Sequence, residues 1–175
     1  MSLDWMPALD RPDLLAPPVE RAVRDMAGEI RGEVRVAEID PELADTAAFC
    51  ERYGVALDES ANCVIVAGRR GGETRYAAVM VSATTRADVN GVIRRHLDVR
   101  KASFAPHQDA VNLTGMEYGG ITPLGVPDDW PVLVDEAVAA APYVVIGSGL
   151  RRSKLAVSGA TLAGLKTAEV LRLAN

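Results

Sequence analysis

The sequence predicts an α+β fold: a single domain with a mixed, curved, barrel-like β-sheet flanked by helices. Three observations lead there. Strand-like and helix-like periodicities are interleaved without a regular βαβ alternation, which disfavours a doubly wound parallel sheet. Residues 62–82 read N-C-V-I-V-A-G, then R-R-G-G, then E and T-R-Y-A-A-V-M-V-S, two apolar runs around a glycine turn and the clearest hairpin in the chain. A length of 175 residues suffices for one substantial core and is short for two.

Taken in order, residues 1–16 lack periodicity and read as an irregular N-terminal arm that either packs on the domain or frays, leaving 17–175 as the domain proper. Pro17 and Pro18 open a helix with Val19, Ala22, Val23 and Met26 at helical spacing and Gly28 as its stop. Glu33 to Ile39 alternates at period two as a half-exposed strand, and Asp45 caps a helix, T-A-A-F-C-E-R-Y, that ends at Gly54. After the hairpin, Thr85 or Asp88 caps a helix carrying Val89, Val92, Ile93 and Leu97 on one face. K-A-S-F-A-P is extended, and Pro106 starts a helix that ends near Gly115. Pro131 to Val134 is a short strand, Asp135 to Ala141 a turn or two of helix, and Tyr143 to Gly147 a buried strand. The turn G-S-G-L-R-R returns the chain through Lys154 to Val157, Ser158 caps the last helix, and A-E-V-L-R-L closes as an edge strand.

Bulk composition excludes several classes. Hydrophobic residues at 49% and charged residues at 25% describe an ordinary soluble domain, and no apolar stretch approaches the roughly 18 residues of a spanning helix. The start, M-S-L-D-W-M-P, lacks a basic segment followed by an apolar one, so a cytoplasmic protein with no membrane association is expected. Cys50 and Cys63 lack metal-type spacing and read as free thiols; His96 and His107, the only histidines, sit in no metal spacing either. There is no G-x-S-x-G elbow, P-loop or dinucleotide fingerprint, so neither a metal nor a cofactor is expected. The net charge of −5 argues against general nucleic-acid binding, but basic residues cluster at Arg86, Arg94, Arg95, Arg100 and Lys101 and at Arg151, Arg152 and Lys154. Such runs read equally as solvated faces and as phosphate contacts, and Arg86, Arg94 and Arg95 taken singly read as solvated.

Two glycine-rich breaks carry the functional signal. T-G-M-E-Y-G-G-I-T-P-L-G over 114–125 needs bare backbone, since Gly119 and Gly120 accept positive φ and close approach while Pro123 drives Thr122 toward an extended conformation. Gly147, Ser148 and Gly149 follow the apolar run Tyr143 to Ile146. Together these turns could form one pocket lined by amide N–H groups. Each loop alone reads more simply as a structural turn, and the hydroxyls of Thr122 and Ser148 could equally satisfy their own turns. A site of this kind suits a substrate that is already activated, such as an aminoacyl ester, whose tetrahedral oxyanion backbone amides stabilise.

The ordered series N-C-V-I-V, R-A-D-V-N-G-V-I-R-R-H-L, K-A-S-F-A-P, G-M-E-Y-G-G-I-T-P-L-G and V-V-I-G-S-G-L-R-R-S-K-L resembles the YbaK/ProX family of aminoacyl-tRNA editing proteins, related to the insertion domain of prolyl-tRNA synthetase. The resemblance covers roughly Asp45 to Val170 and is most specific at G-G-I-T-P-L-G. It implies a trans-acting aminoacyl-tRNA deacylase that removes a mischarged small amino acid, with tRNA-Pro the first expectation, in the service of translation fidelity. Aminoacyl-tRNA is then the partner, and an aminoacyl-tRNA synthetase a second candidate. Carried over by position, Asn62, Gly119, Gly120 and Thr122 are the catalytic candidates. Tyr118, Ile121, Pro123, Gly147, Ser148 and Gly149 line the substrate site, and Arg151 and Arg152 meet phosphate. Two positions depart from the family: Asn62 stands where relatives commonly have a lysine, and Lys154 where many have an acidic residue. Those departures keep a second reading open, a noncatalytic module that binds aminoacyl-adenosine, a nucleotide or a tRNA end; a structural protein with a vestigial pocket is a third.

Overall fold

The computed structural model describes residues 2–175. The chain begins with β1 (Met6–Pro7), two 3-10 turns (Ala8–Asp10 and Pro12–Leu14), α1 (Pro17–Arg24), α2 (Gly28–Glu33) and β2 (Arg35–Glu38). A third 3-10 turn (Pro41–Leu43), α3 (Thr46–Tyr53) and a fourth turn (Leu57–Glu59) lead to the hairpin β3 (Ala61–Arg70) and β4 (Glu73–Ser82). A π-helical turn (Val89–Ile93) continues as α4 (Arg94–His96), followed by β5 (Lys101–Phe104), α5 (His107–Thr114), β6 (Val132–Asp135) and α6 (Glu136–Ala139). The last elements are β7 (Val144–Gly147), β8 (Ser153–Val157), α7 (Gly159–Ala163) and β9 (Ala168–Leu171).

The strands form two open sheets rather than one curved sheet. The first is antiparallel in the order β1-β2-β8-β7. The second runs β5-β3-β4-β6-β9, antiparallel as far as β4 and parallel through β6 and β9. A single parallel bridge between Ser60 and Val145 joins them, and beyond it β3 and β7 line a pocket instead of pairing. The hairpin is in register from Ala61–Ser82 to Arg70–Glu73 and closes over Gly71 and Gly72.

Continuous apolar runs appear in β3 and β4 because both faces of their sheet are covered. Ile65, Ala67, Ala78 and Met80 pack into the main core with Val19 and Val23 of α1, while Val66, Ala77, Val79 and Val81 pack against Val89, Ile93 and Leu97. A third cluster places Phe49 and Cys50 of α3 on Val145 of β7. The two faces of the second sheet thus bury alternate residues of one strand, and this removes the period-two alternation expected of a half-exposed sheet.

Several local expectations change. Gly28 begins α2 instead of ending α1, which stops at Arg24; α2, G-E-I-R-G-E, buries no residue and so offers no hydrophobic periodicity to read. Asp88 rather than Thr85 caps the helical turn, its carboxylate accepting from the Gly91 and Val92 amides at 3.0 and 3.2 Å. Of the two alternatives for the arm, residues 2–16 take the first and pack on the domain: Met6 pairs with Val36, Ala8, Leu14 and Leu15 are buried, and the Ala16 amide donates to the Ser148 carbonyl at 3.2 Å. This seats the arm directly behind the second glycine loop.

Candidate functional site

A cavity of about 470 Å³ opens where the two sheets separate. Its walls come from the start of α3 (Asp45, Thr46, Phe49), from Ser60 and β3 (Ala61 to Ile65), and from β7 and β8 (Val145 to Gly147, and Lys154). Phe104, His107 and Tyr118 form its rim beside Gly119 and Ile121. The His107 and Tyr118 rings stack with centroids 3.6 Å apart, and Phe104 is 60% exposed.

The two glycine loops interlock through their backbones. The Gly149 amide donates to the Gly120 carbonyl at 2.6 Å, and the Glu117 amide to the Gly149 carbonyl at 2.8 Å. A Cβ on Gly147 would lie 2.4 Å from the Gly120 oxygen, and one on Gly120 2.6 Å from the Leu150 oxygen. No side chain fits between strands of backbone this close. Gly119 and Gly149 also hold φ of +91° and +90°, a region that side chains rarely adopt. The glycines are therefore needed for the loop-to-loop approach itself.

This packing sorts the site residues expected from sequence. Asn62, Tyr118, Gly119, Ile121 and Gly147 line the cavity. The Gly120 amide is already given to the Glu117 carbonyl at 3.0 Å and the Gly149 amide to Gly120, so neither is a free donor for an oxyanion. The Gly119 amide makes no hydrogen bond among the described residues. Ser148 is fully buried outside the cavity wall. Ser153 donates to the Leu14 carbonyl at 2.6 Å, Ser148 bonds the Ser153 hydroxyl at 2.6 Å, and the Leu150 amide donates to Ser148 at 3.2 Å. Thr122 is likewise buried, with no partner for its hydroxyl among the described residues, and Pro123 lines a separate groove beside Met26. Neither arginine lines the cavity: Arg151 braces the carbonyls of Tyr118 (3.2 Å) and Pro41 (3.1 Å), and Arg152 donates to the Asp13 carbonyl of the arm. Arginines that satisfy main-chain carbonyls in this way hold the loop and the arm in place.

Two lining groups, Lys154 and Cys63, were not among the site residues expected from sequence. Lys154 is 7% exposed, donates to the Ala44 carbonyl at 2.9 Å and lies 5.3 Å from the Phe49 ring centre. Burial pushes its ammonium pKa down to about 8, against the opposing pull of Cys50 and Asp45. Among the described residues it is the only lysine or arginine lining the cavity. Asn62 accepts from the Thr46 hydroxyl at 2.6 Å, which fixes its amide plane and leaves the NH₂ without a partner among the described residues. Burial pushes the Cys63 thiol up to about 12, making it a neutral, apolar part of the wall rather than a nucleophile. Of Lys154 and Cys63, only Lys154 carried a sequence signal, a long cation inside the apolar strand S-K-L-A-V.

The cavity is thus a half-apolar chamber with one buried cation and one anchored amide, with backbone N–H groups of Tyr118, Gly119 and Ile121 unpaired among the described residues, and with an aromatic rim. The model of the aminoacyl-tRNA editing domain matches residues 40–165, and the chain belongs to that family. Among curated proteins none matches it. Solved structures share the fold. A candidate trans-editing enzyme for prolyl-tRNA synthetase superposes with a TM-score of 0.75 at 22% identity, covering 92% of this chain and 99% of that one. The hypothetical protein APE2540 gives 0.77 at 20% identity, covering 90% and 99%. A scaffold from the computational grafting of epitope backbones gives 0.75 at 22% identity, covering 91% and 97%. Among the described residues no helix is long and apolar enough to cross a membrane, and no three His, Cys, Asp or Glu side chains are grouped to hold a metal ion.

Proposed function

We propose that the protein is a trans-acting deacylase that hydrolyses the ester of a mischarged small amino acid on tRNA, with tRNA-Pro the first substrate to try. The observation that carries this reading is the cavity of about 470 Å³ built by the interlocked glycine loops, in a chain of the editing family. That volume lies within the range of roughly 300–1,000 Å³ typical of small-ligand sites. The terminal adenine stacks on the His107–Tyr118 pair at the rim, and the aminoacyl group enters beneath it. The Lys154 ammonium and the Asn62 NH₂ hold the ester oxygens, and the Gly119 N–H faces the oxyanion as it forms. Water attacks the carbonyl carbon, a C–O bond to water forms as the ester C–O bond breaks, and the proton from water passes to the departing ribose oxygen. Cys63 stays neutral and packs on the amino-acid side chain.

Purified protein incubated with tRNA-Pro charged with Cys, Ala or Ser is expected to accelerate loss of at least one ester over its spontaneous rate. Ester loss at the spontaneous rate for all of them overturns the proposal. A noncatalytic aminoacyl-adenosine-binding module is the alternative, favoured by the neutral Asn62, whose carbonyl oxygen is already engaged by Thr46. Tight binding of a nonhydrolysable aminoacyl-adenosine analogue without turnover, unchanged in Asn62→Lys, would select it.

A further inference from the structure

A second groove adjoins the cavity across Phe104, which lines both. Its walls carry Arg69, Arg94, Arg100 and Lys101, with Asp109 the only acid among the lining residues. Three separate elements supply the cations. Arg69 and Lys101 face each other in the β3–β5 register, the Arg100 amide donates to the Arg69 carbonyl at 2.8 Å, and Arg94 comes from α4. None of the four forms an ion pair among the described residues, whereas neighbouring Arg70 and Arg75 pair with Asp98 and Glu73. The chain as a whole has a net charge of −5. Four uncompensated cations in one concavity of an acidic protein repel one another, and an anionic ligand relieves that repulsion. Thr74, Asn90 and Ser103 add polar side chains along the same walls. The spread of charge along a groove fits a chain of phosphates better than a single one.

We propose that this groove binds the phosphate backbone of the RNA acceptor end whose terminal nucleotide reaches the cavity past Phe104. The assignment rests on the deacylase reading for its direction, since that reading sets the aminoacyl end in the cavity. An acidic protein segment is the competing occupant, but the aromatic ring shared with the cavity favours a ligand that has both phosphates and bases. Each phosphate neutralised releases counterions, so binding through four cations gives a slope of log affinity against log salt of about −3 to −4.

The test uses full-length protein and an uncharged acceptor-stem RNA hairpin with a single-stranded 3′ CCA end, with binding read by fluorescence anisotropy between low and moderate salt. The quadruple variant Arg69→Gln, Arg94→Gln, Arg100→Gln, Lys101→Gln is expected to lose at least about 30-fold in affinity, and most of the salt slope disappears. Arg21→Gln with Arg35→Gln, which removes exposed cations elsewhere, is expected to keep both within about twofold. A pair of double variants, Arg69→Gln/Arg94→Gln and Arg100→Gln/Lys101→Gln, covers the case in which the quadruple variant does not fold. RNA affinity and slope unchanged in the folded groove variants, or lost equally in the Arg21/Arg35 control, overturns the proposal. So does a parent protein that binds polyglutamate through these residues but not the RNA. Because the RNA is uncharged, groove-dependent binding without any deacylation would sustain this site and sink the deacylase reading. Undiminished deacylation of charged tRNA by the groove variants would do the reverse.

Discussion

At the residue scale the site turns on Lys154, a cation held where burial lowers its pKa to about 8. Its one hydrogen bond among the described residues, to the Ala44 carbonyl, leaves two N–H donors for a ligand. Lys154→Met keeps the length and removes the charge. The expected outcome is a drop in kcat/KM for deacylation of about 10- to 100-fold, the range for losing a charge-assisted hydrogen bond of roughly 1.5–3 kcal/mol. Stability is expected to stay within about 1 kcal/mol, because the lost bond to Ala44 is offset by relief of a buried charge. The enzyme-dependent rate of the parent protein should fall as pH rises through about 8 and Lys154 loses its proton. In Lys154→Met that inflection should be absent. A parent profile with no break near that pH would remove Lys154 from the reaction.

At the scale of elements, the approach of the two loops depends on glycine at particular contacts. Gly147→Ala sets a Cβ 2.4 Å from the Gly120 oxygen and 2.7 Å from the Ile121 oxygen, with only backbone to yield. A loss of about 1–3 kcal/mol in urea unfolding is expected, together with loss of cavity function. Gly72→Ala, in the hairpin turn, meets nothing within 4 Å and should change stability by less than about 0.5 kcal/mol. Equal costs at the two positions would mean that the loops tolerate separation. This contrast also marks what could be read in advance. Gly120 and Gly147 were legible because close main-chain approach leaves no room for a side chain, and Gly119 because its φ of +91° disfavours one. The roles of Arg151 and Arg152 were not, because each hydrogen-bonds to main chain distant in sequence, and only the folded chain brings Pro41 or Asp13 alongside. The Ser148 hydroxyl satisfies its own turn through Leu150, one of the two readings its sequence left open. Likewise, Arg94, Arg100 and Lys101 form a visible basic run, but its alignment with Arg69 depends on the β3–β5 register.

For the whole molecule, the order of elements was readable from hairpin, caps and glycine stops except for β1 and α2, but the division into two sheets was not: one bridge at Ser60–Val145 replaces a ladder, and no local pattern reports a missing ladder. Building the cavity in that gap buries two titratable groups whose effects on stability oppose each other. Lys154 has a native pKa of about 8 against an ordinary 10.5, so between these values the unfolded chain holds more protons and stability rises with pH. Cys63 has a native pKa of about 12 against an ordinary 9.0, so its contribution is intact below 9 and is lost as pH climbs toward 12. From pH 8 to 9 the lysine dominates, and the parent protein should gain about 0.5–1 kcal/mol, less than the 1.4 kcal/mol per pH unit of a full proton difference. Between about 9 and 10.5 the two slopes cancel into a plateau. Lys154→Met leaves the thiol alone, and its stability should instead decline slowly over pH 8 to 9. Urea midpoints for both proteins at half-unit pH steps read this reversal of sign directly. A parent curve that is flat or falling from 8 to 9 would mean that the Lys154 ammonium is solvated as an ordinary surface lysine is, and that the cavity wall is open to water at that point.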